Sequence, residues 1–232
     1  MRQVFLQNPW IHHEEPKEIR DIFFRYGTLE RIKRGTAVLN GGPDGRFYYL
    51  KKGLGVFTFE DKNGRSFIFN LVIPGRVFAD VDGISQEFVN VTDSVIRPSE
   101  VLSIDYATWH KYIGSNPELL LLMTRGIISK HESHMEAMIA NYTLSVDERL
   151  KVFLKVLISS YGPIIDGWNE VPLYLSANEY ASLVGASRVS VARIFAKWTK
   201  AGAVKKEQGR NFSVNSELFS DIYDWTEANP RN

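Results

Sequence analysis

The 232-residue sequence contains no cysteine, and this absence excludes several kinds of site. Without thiols the chain cannot supply structural disulfides, thiolate zinc sites or cysteine-ligated iron–sulfur clusters. It cannot sense redox conditions through a thiol either, because the reactive species is the thiolate. We therefore expect neither a disulfide framework nor a cysteine-bound metal cofactor.

Long apolar runs are also missing. The most apolar stretches, residues 119–123 and 151–158, are too short or too interrupted to span a bilayer. Residues 1–11 lack the basic start and apolar run of a secretion signal. We expect no membrane association and a cytoplasmic location. The net charge of +1 carries no information about partners by itself, so the distribution of charge must be considered.

The first half of the chain has a β pattern. Short runs rich in Val, Ile, Phe and Tyr alternate with glycine-bearing turns from about residue 26 to residue 104. At residues 61–65 the sequence Asp-Lys-Asn-Gly-Arg predicts a tight hairpin, since Asn63 and Gly64 can take positive φ values. The pattern predicts an antiparallel sandwich or barrel. Its strands are expected at residues 37–39, 47–50, 55–60, 66–72, 76–78, 88–92 and 100–104.

A long helix is predicted from Pro117 to about Tyr142, with proline in its first turn. Seven of its residues recur at alternating spacings of three and four, which places them on one seam as in a two-stranded coiled coil. We expect this seam to pack against a second copy of the chain, with packing inside one chain as the alternative. The seam consists of Leu121, Thr124, Ile128, His131, Met135, Met138 and Tyr142.

Two capped helices are predicted near the C-terminus. Ser176 and Glu179 form a capping box before a helix that ends at Gly185, and Ser187 caps a second, amphipathic helix. Two short strands flanking Gly209 follow, so the segment has the pattern of a winged helix-turn-helix. Residues 176–214 contain seven basic and two acidic residues. Such a cluster favours DNA binding, because each cation that neutralises a phosphate releases a counterion. A solvated basic surface is the alternative.

The run Leu-Val-Gly-Ala-Ser-Arg-Val-Ser-Val-Ala-Arg-Ile at residues 183–194 resembles the helix-turn-helix of the CRP/FNR superfamily of bacterial transcription regulators. The resemblance implies an α+β fold. Its parts would be an antiparallel β-roll sensor domain of the cyclic-nucleotide-binding type at residues 1–116, a dimerisation helix at 117–143 and a winged helix-turn-helix DNA-binding domain at 144–232. It also implies a homodimeric, sequence-specific regulator whose partners are double-stranded DNA and RNA polymerase.

The resemblance places base-contacting side chains at Arg188, Val189 and Arg193. A guanidinium group can bond two acceptors of a guanine at once, so both arginines are expected to read bases directly. Val189 departs from the glutamate that is usual in the family and can make only apolar contacts, for example with a thymine methyl group. Phosphate contacts are expected from Ser176, Ser187, Ser190, Lys197, Lys206 and Arg210.

The cyclic-AMP cassette of the family is altered in this sequence. Ala79-Asp80 stands where the ribose-binding Gly-Glu pair belongs, and Val89-Asn90 stands where the phosphate-binding arginine pair belongs. A buried phosphate without its arginine would be an unpaired charge, although Arg76 or Arg97 could substitute. We expect an unknown small-molecule effector other than cyclic AMP, or none. The candidate effector pocket comprises Arg76, Ala79, Asp80, Val89, Asn90, Thr124 and Ile128.

Two alternatives remain: a cyclic-nucleotide-dependent regulator of the same family, and a ligand-binding regulatory module that acts through protein contacts. An enzyme has less support. A cupin-type oxygenase needs closely spaced histidines in its strands, and residues 14–109 contain none. That stretch also lacks a glycine-framed serine and a phosphate-binding glycine loop.

The histidines predict no metal site. His131 and His134 lie close together on one helical surface, but a stable site usually needs three or four ligands. The adjacent His12 and His13, followed by two glutamates, are expected to belong to a solvated arm. We therefore predict no metal, no cofactor and no catalytic residue.

Overall fold

The computed structural model describes residues 4–5, 7–38, 45–64, 66–85, 91–209 and 211–222. The chain divides into two compact units, of which the first is His12–Glu132 and the second combines Met1–Ile11 with Ser133–Asn232. Among the described helices, none has both the length and the apolar character that crossing a bilayer requires.

The first unit, His12–Glu132, is built on two antiparallel sheets. Its described strands are β1 (Thr28–Ile32), β2 (Ala37–Val38), β3 (Arg46–Lys52), β4 (Gly55–Glu60), β5 (Ser66–Val72), β6 (Val77–Phe78), β7 (Thr92–Val95) and β8 (Ser99–Asp105). One sheet has the order β1-β8-β3-β6 and the other β2-β7-β4-β5. Most of the strand predicted at residues 88–92 lies outside the described residues.

The predicted hairpin joins β4 to β5, with Glu60 opposite Ser66. Gly64 takes the positive φ, 73°, that the turn needs. Asn63 does not share this conformation, and its backbone N–H donates instead to the Asp61 carboxylate at 2.8 Å. The hairpin is therefore closed by one glycine and one Asx interaction.

Helices complete the first unit: α1 (Lys17–Tyr26), α2 (Asp80–Ser85), α3 (Tyr106–Trp109), a π-helical turn (His110–Gly114) and the start of α4 (Pro117–Thr143). The sequence pattern did not predict α1, yet its Ile19 and Phe23 are fully buried in a core that includes Phe47 and Ile113. Burial of one apolar stripe holds this ten-residue helix in place, since so short a helix is marginal by itself.

The expectation of a solvated arm before α1 is wrong for two of its four residues. His12 and Glu15 are buried, whereas His13 and Glu14 are exposed. The Glu15 backbone N–H donates to the Gly75 carbonyl at 3.0 Å, and its carboxylate accepts from the Val77 N–H at 3.2 Å. The hydrogen bonds of Glu15 with Gly75 and with Val77, the first residue of β6, explain why this part of the segment is not solvated.

The second unit contains the end of α4 and the C-terminal elements. They are α5 (Val146–Ser159), β9 (Trp168–Glu170), α6 (Ala177–Leu183), α7 (Arg188–Lys200), β10 (Val204–Lys206), β11 (Phe212–Asn215) and a 3-10 helix (Ser216–Phe219). The strands form one sheet in the order β10-β11-β9. A capping box between Ser145 and Glu148 starts α5, and hydrogen bonds with Ser145 lower the pKa of the Glu148 carboxyl. The predicted β domain, long helix and C-terminal helix-turn-helix are confirmed.

Candidate nucleic-acid interface

Helices α6 and α7 are joined by a short turn, and each begins at a serine cap. The Ser176 hydroxyl accepts from the Glu179 N–H at 3.3 Å, while the Glu179 carboxylate accepts from the Ser176 N–H at 2.6 Å. The Ser187 hydroxyl accepts from the Ser190 N–H at 3.0 Å. Between the helices Gly185 has a φ of 57°, a conformation that glycine adopts without strain. These caps and this glycine fix where α7 begins.

Aromatic side chains hold α7 in place. The Phe195 ring lies 5.2 Å from the Tyr180 ring on α6, 5.3 Å from the Trp198 ring and 5.5 Å from the Phe212 ring on β11. Val191 and Trp198 are buried on the same side of the helix. One face of α7 thus packs on both α6 and the wing strand β11, and these contacts fix the direction in which its opposite face points.

The outward face of α7 carries the three residues that were predicted to read bases. Arg188 and Arg193 are exposed, and Val189 is 65% exposed. Neither arginine makes an ion pair with any residue that the structure describes. The face therefore offers two uncommitted guanidinium groups with an apolar side chain between them in sequence.

The predicted phosphate-contacting cations differ in their surroundings. Lys197 pairs with Asp147 at 3.3 Å on the surface, a contact of the weakly stabilising kind. Lys206 is exposed and makes no ion pair within the described part of the chain. Its neighbour Lys205 instead lies over the Trp168 ring at 4.7 Å and pairs with Glu207 at 3.2 Å. Arg210 lies outside the described residues.

The turn between α6 and α7 receives three hydrogen bonds that the sequence did not reveal. The Leu183 carbonyl accepts from the Trp10 indole N–H at 3.0 Å and from the Asn141 amide at 3.5 Å. The Val184 carbonyl accepts from the Arg149 guanidinium at 2.6 Å. Carbonyls at a helix C-terminus have no partner within the helix, so donors from elsewhere satisfy them.

The predicted seam lies on one exposed stripe of α4. All seven of its residues are exposed in the single chain, whereas Met123, Ala137 and Ala140 on other faces of the helix are buried. Exposed apolar side chains recurring over about six turns of a helix are unusual for a surface that faces water alone. The stripe runs through Leu121, Thr124, Ile128, His131, Met135, Met138 and Tyr142.

The candidate effector pocket is only partly described. Arg76 is buried, and its guanidinium donates to the carbonyls of His12 at 3.0 Å and Pro74 at 2.6 Å and faces Glu14 at 3.6 Å. Thr124 and Ile128 lie on the exposed stripe of α4. Ala79 has a φ of 63°, a strained value for a residue other than glycine. Val89 and Asn90 lie outside the described residues, and the Arg97 guanidinium donates to the Ile96 carbonyl at 2.7 Å.

Asp80, the carboxylate of this pocket, is bound to a lysine of α4. The buried Lys130 ammonium contacts Asp80 and lies 3.1 Å from Glu15, which is also buried. Burial by itself lowers the pKa of Lys130, but the Asp80 and Glu15 carboxylates outweigh burial and raise this pKa above its ordinary value. The three side chains form an internal ionic cluster, which we call the Lys130 cluster.

Clusters of three or more metal-ligating side chains do not occur in the described part of the chain. His131 is exposed on the seam of α4, and His134 is half-buried.

Comparisons with known proteins agree with this geometry. Residues 148–217 match the model of the Crp-like helix-turn-helix domain. The chain is 30% identical over 173 residues to the global nitrogen regulator of Nostoc sp. (strain PCC 7120), covering 72% of this chain and 75% of the relative. Many solved structures share the fold, and two of them illustrate the extent of the match. FixK2 from Bradyrhizobium japonicum has a TM-score of 0.71 at 15% identity, over 85% of this chain and 98% of that one.

The second structure is a transcriptional regulator of the CRP/FNR family from Thermus thermophilus. Its TM-score is 0.65 at 17% identity, over 87% of this chain and 99% of that one. The sequence match thus extends well beyond the helix-turn-helix, and the fold match extends over most of the chain. With its β domain, its long helix and its two capped C-terminal helices, the chain belongs to the CRP/FNR superfamily of DNA-binding transcription regulators.

Proposed function

We propose that the chain acts as a homodimer whose two α7 helices enter successive major grooves of a pseudo-palindromic DNA site, about 34 Å apart. The observation that carries this proposal is the outward face of α7, where Arg188, Val189 and Arg193 are exposed. RNA polymerase is the further partner that we propose. The functional division into residues 1–116, 117–143 and 144–232 stays a prediction, as does a cytoplasmic location, and no catalysis is assigned to any part.

Base and phosphate contacts are separable by two substitutions. Arg188→Ala should lose about 1–3 kcal/mol at one base pair and relax the preference there. Lys206→Ala should weaken binding to all sequences alike. It should also make the slope of log affinity against log salt concentration shallower by about one, because one phosphate contact is lost. Lys205→Ala is the matched control, because Lys205 is already engaged by Trp168 and Glu207. Equal behaviour of Arg188→Ala and Lys206→Ala would contradict the division into base and phosphate contacts.

The exposed stripe of α4 supports the homodimer. Ile128 is 51% exposed in the single chain, and burial against a partner would remove its apolar surface from water. Ile128→Lys, combined with Met135→Lys, should shift the chain to monomers in sedimentation equilibrium. Leu29→Lys is the matched control, since Leu29 of β1 is 52% exposed but lies off α4. If the double variant sediments with the same mass as the wild type, dimerisation through the seam is refuted.

The described polar groups of the pocket support control by an effector other than cyclic AMP, or by none. The Arg76 guanidinium faces two carbonyls and Glu14, and Asp80 is bound to Lys130. A cyclic phosphate entering there would have to take a cation from these contacts.

Fluorescence anisotropy tests whether DNA binding depends on an effector. The affinity of the protein is measured for duplex DNA from upstream of its own gene and for a scrambled duplex. Sequence-dependent binding without nucleotide is expected. Binding only when cyclic AMP is added would instead support the cyclic-nucleotide-dependent regulator.

A further inference from the structure

The N-terminal arm, residues 4–5 and 7–11, packs within the same unit as the helix-turn-helix. Trp10 is fully buried, and its ring meets the Phe153 ring of α5 edge-on, with centroids 5.9 Å apart. Its indole N–H donates to the Leu183 carbonyl at 3.0 Å. Trp10 has a φ of 63°, a left-handed conformation that costs about 1–2 kcal/mol outside glycine. Such a conformation persists only where surrounding contacts determine it.

The far end of the arm is fixed to the last part of α4. The buried Glu136 carboxylate accepts from the backbone N–H groups of Val4, at 2.9 Å, and of Phe5. The buried Ser133 hydroxyl donates to the Asn8 carbonyl at 2.6 Å. The arm is thus held at both ends, with Trp10 as its contact to α6.

Leu183 is the last residue of α6, and four residues later Ser187 caps α7. Its carbonyl would lack a partner of full strength without Trp10, since the Asn141 amide is 3.5 Å away. A donor that fixes this carbonyl fixes the turn, and the turn determines the direction in which α7 leaves α6. We propose that the N-terminal arm positions the helix-turn-helix and that Trp10 fixes the orientation of α7 relative to α6.

This inference rests on the proposed reading of DNA by α7, so its test has a readout that needs no DNA. The backbone N–H of Val184 donates to the Tyr180 carbonyl at 3.0 Å, and that of Ala186 donates to the Ala181 carbonyl at 2.9 Å. Hydrogen exchange at these two amides reports opening of the turn directly.

Trp10→Phe in the full-length chain keeps an aromatic ring against Phe153 but removes the indole N–H. We expect exchange at Val184 and Ala186 to quicken about fivefold, the equilibrium effect of one neutral hydrogen bond. Affinity for the specific duplex should also fall, by no more than this factor. Affinity for the scrambled duplex should stay unchanged, because it depends on phosphate neutralisation.

Trp109→Phe is the matched control. It removes a buried indole N–H that donates to the Met123 sulfur at 2.8 Å in the other unit. This variant should leave the ratio of specific to scrambled affinity unchanged, even where its melting temperature falls. A purely structural Trp10 would behave in the same way as this control, and that result would overturn the proposal.

Ser133→Ala supplies a milder variant, should Trp10→Phe fold poorly. Loss of the hydrogen bond to Asn8 loosens the arm while leaving Trp10 intact, so exchange at Val184 and Ala186 should quicken by a smaller factor. Unchanged exchange in both variants overturns the proposal. The two proposals can also fail separately. If exchange quickens in the variants but the wild type binds both duplexes equally well, the contact of the arm with the turn is supported and the proposed DNA reading is refuted.

Discussion

Replacing Lys130 with methionine removes the only cation of the Lys130 cluster and leaves Asp80 and Glu15 buried together. At 3.1 Å and an effective dielectric constant of about 20, one such pair attracts by about 5 kcal/mol before desolvation is considered. Methionine keeps the volume of the side chain, so the loss is electrostatic. Removal of one partner from a buried ion pair typically costs about 3–5 kcal/mol. For a unit of this size the melting temperature should fall by roughly 12–20 °C.

Calorimetry of the full chain measures this loss, with Arg31→Met as the control. Arg31 pairs with Glu100 at 3.3 Å in the same unit, but its side chain is 83% exposed, so its loss should cost no more than about 1 kcal/mol. Equal losses for the two variants would refute the idea of a desolvated cluster.

The Lys130 cluster also predicts a pH dependence. Because the folded state raises the pKa of Lys130, its stabilising contribution is complete below the ordinary lysine value of 10.5. The contribution is lost as the pH rises beyond that value, since the unfolded chain then releases its proton first. The difference in unfolding free energy between wild type and Lys130→Met should therefore be constant from about pH 7 to about pH 10 and should narrow above it.

Three further predictions concern other parts of the structure. The Tyr180 hydroxyl is buried without a hydrogen-bond partner among the described residues, so Tyr180→Phe should raise the unfolding free energy by about 1 kcal/mol in urea titration. Gly53 has a φ of 108°, and a Cβ there would lie 2.7 Å from the Ser99 Cα. Gly53→Ala should therefore cost at least about 2 kcal/mol. Gly64→Ala should cost about 1 kcal/mol, because its Cβ would have no atom within 4 Å among the described residues beyond its chain neighbours. If Val189 contacts a thymine methyl, replacing that thymine with uracil should weaken binding about fivefold in wild type and not in Val189→Ala.

The helix-turn-helix could be predicted from sequence because its signals are local. A capping serine with a glutamate three residues later satisfies N–H groups inside one helical turn, as at Ser176 and Glu179. Gly185 ends α6 for an equally local reason, its positive φ. The base-contacting and phosphate-contacting roles stay predictions, because they depend on a partner rather than on the chain.

The tertiary contacts that hold the helix-turn-helix and the Lys130 cluster could not be predicted, because they join residues far apart in the sequence. Nothing around Trp10 indicates a contact with Leu183, 173 residues away. Glu15 reads as one of a run of polar residues, and its burial depends on contacts with Lys130, Gly75 and Val77, all of them distant in the sequence. Amphipathic helix α1 was missed because a few apolar residues among many charges do not distinguish a helix from a solvated arm.

The Lys130 cluster also bears on what controls this regulator. A ligand changes an equilibrium only by its difference in affinity for the two states. One that took Asp80 away from Lys130 would have to replace that contact or lose up to the roughly 3–5 kcal/mol expected for Lys130→Met, a hundred-fold to several-thousand-fold in affinity. Arg76, held by two carbonyls and facing Glu14, presents a similar barrier. The charges of the described pocket are thus satisfied by the chain itself. This supports the proposal that DNA binding does not require a cyclic nucleotide.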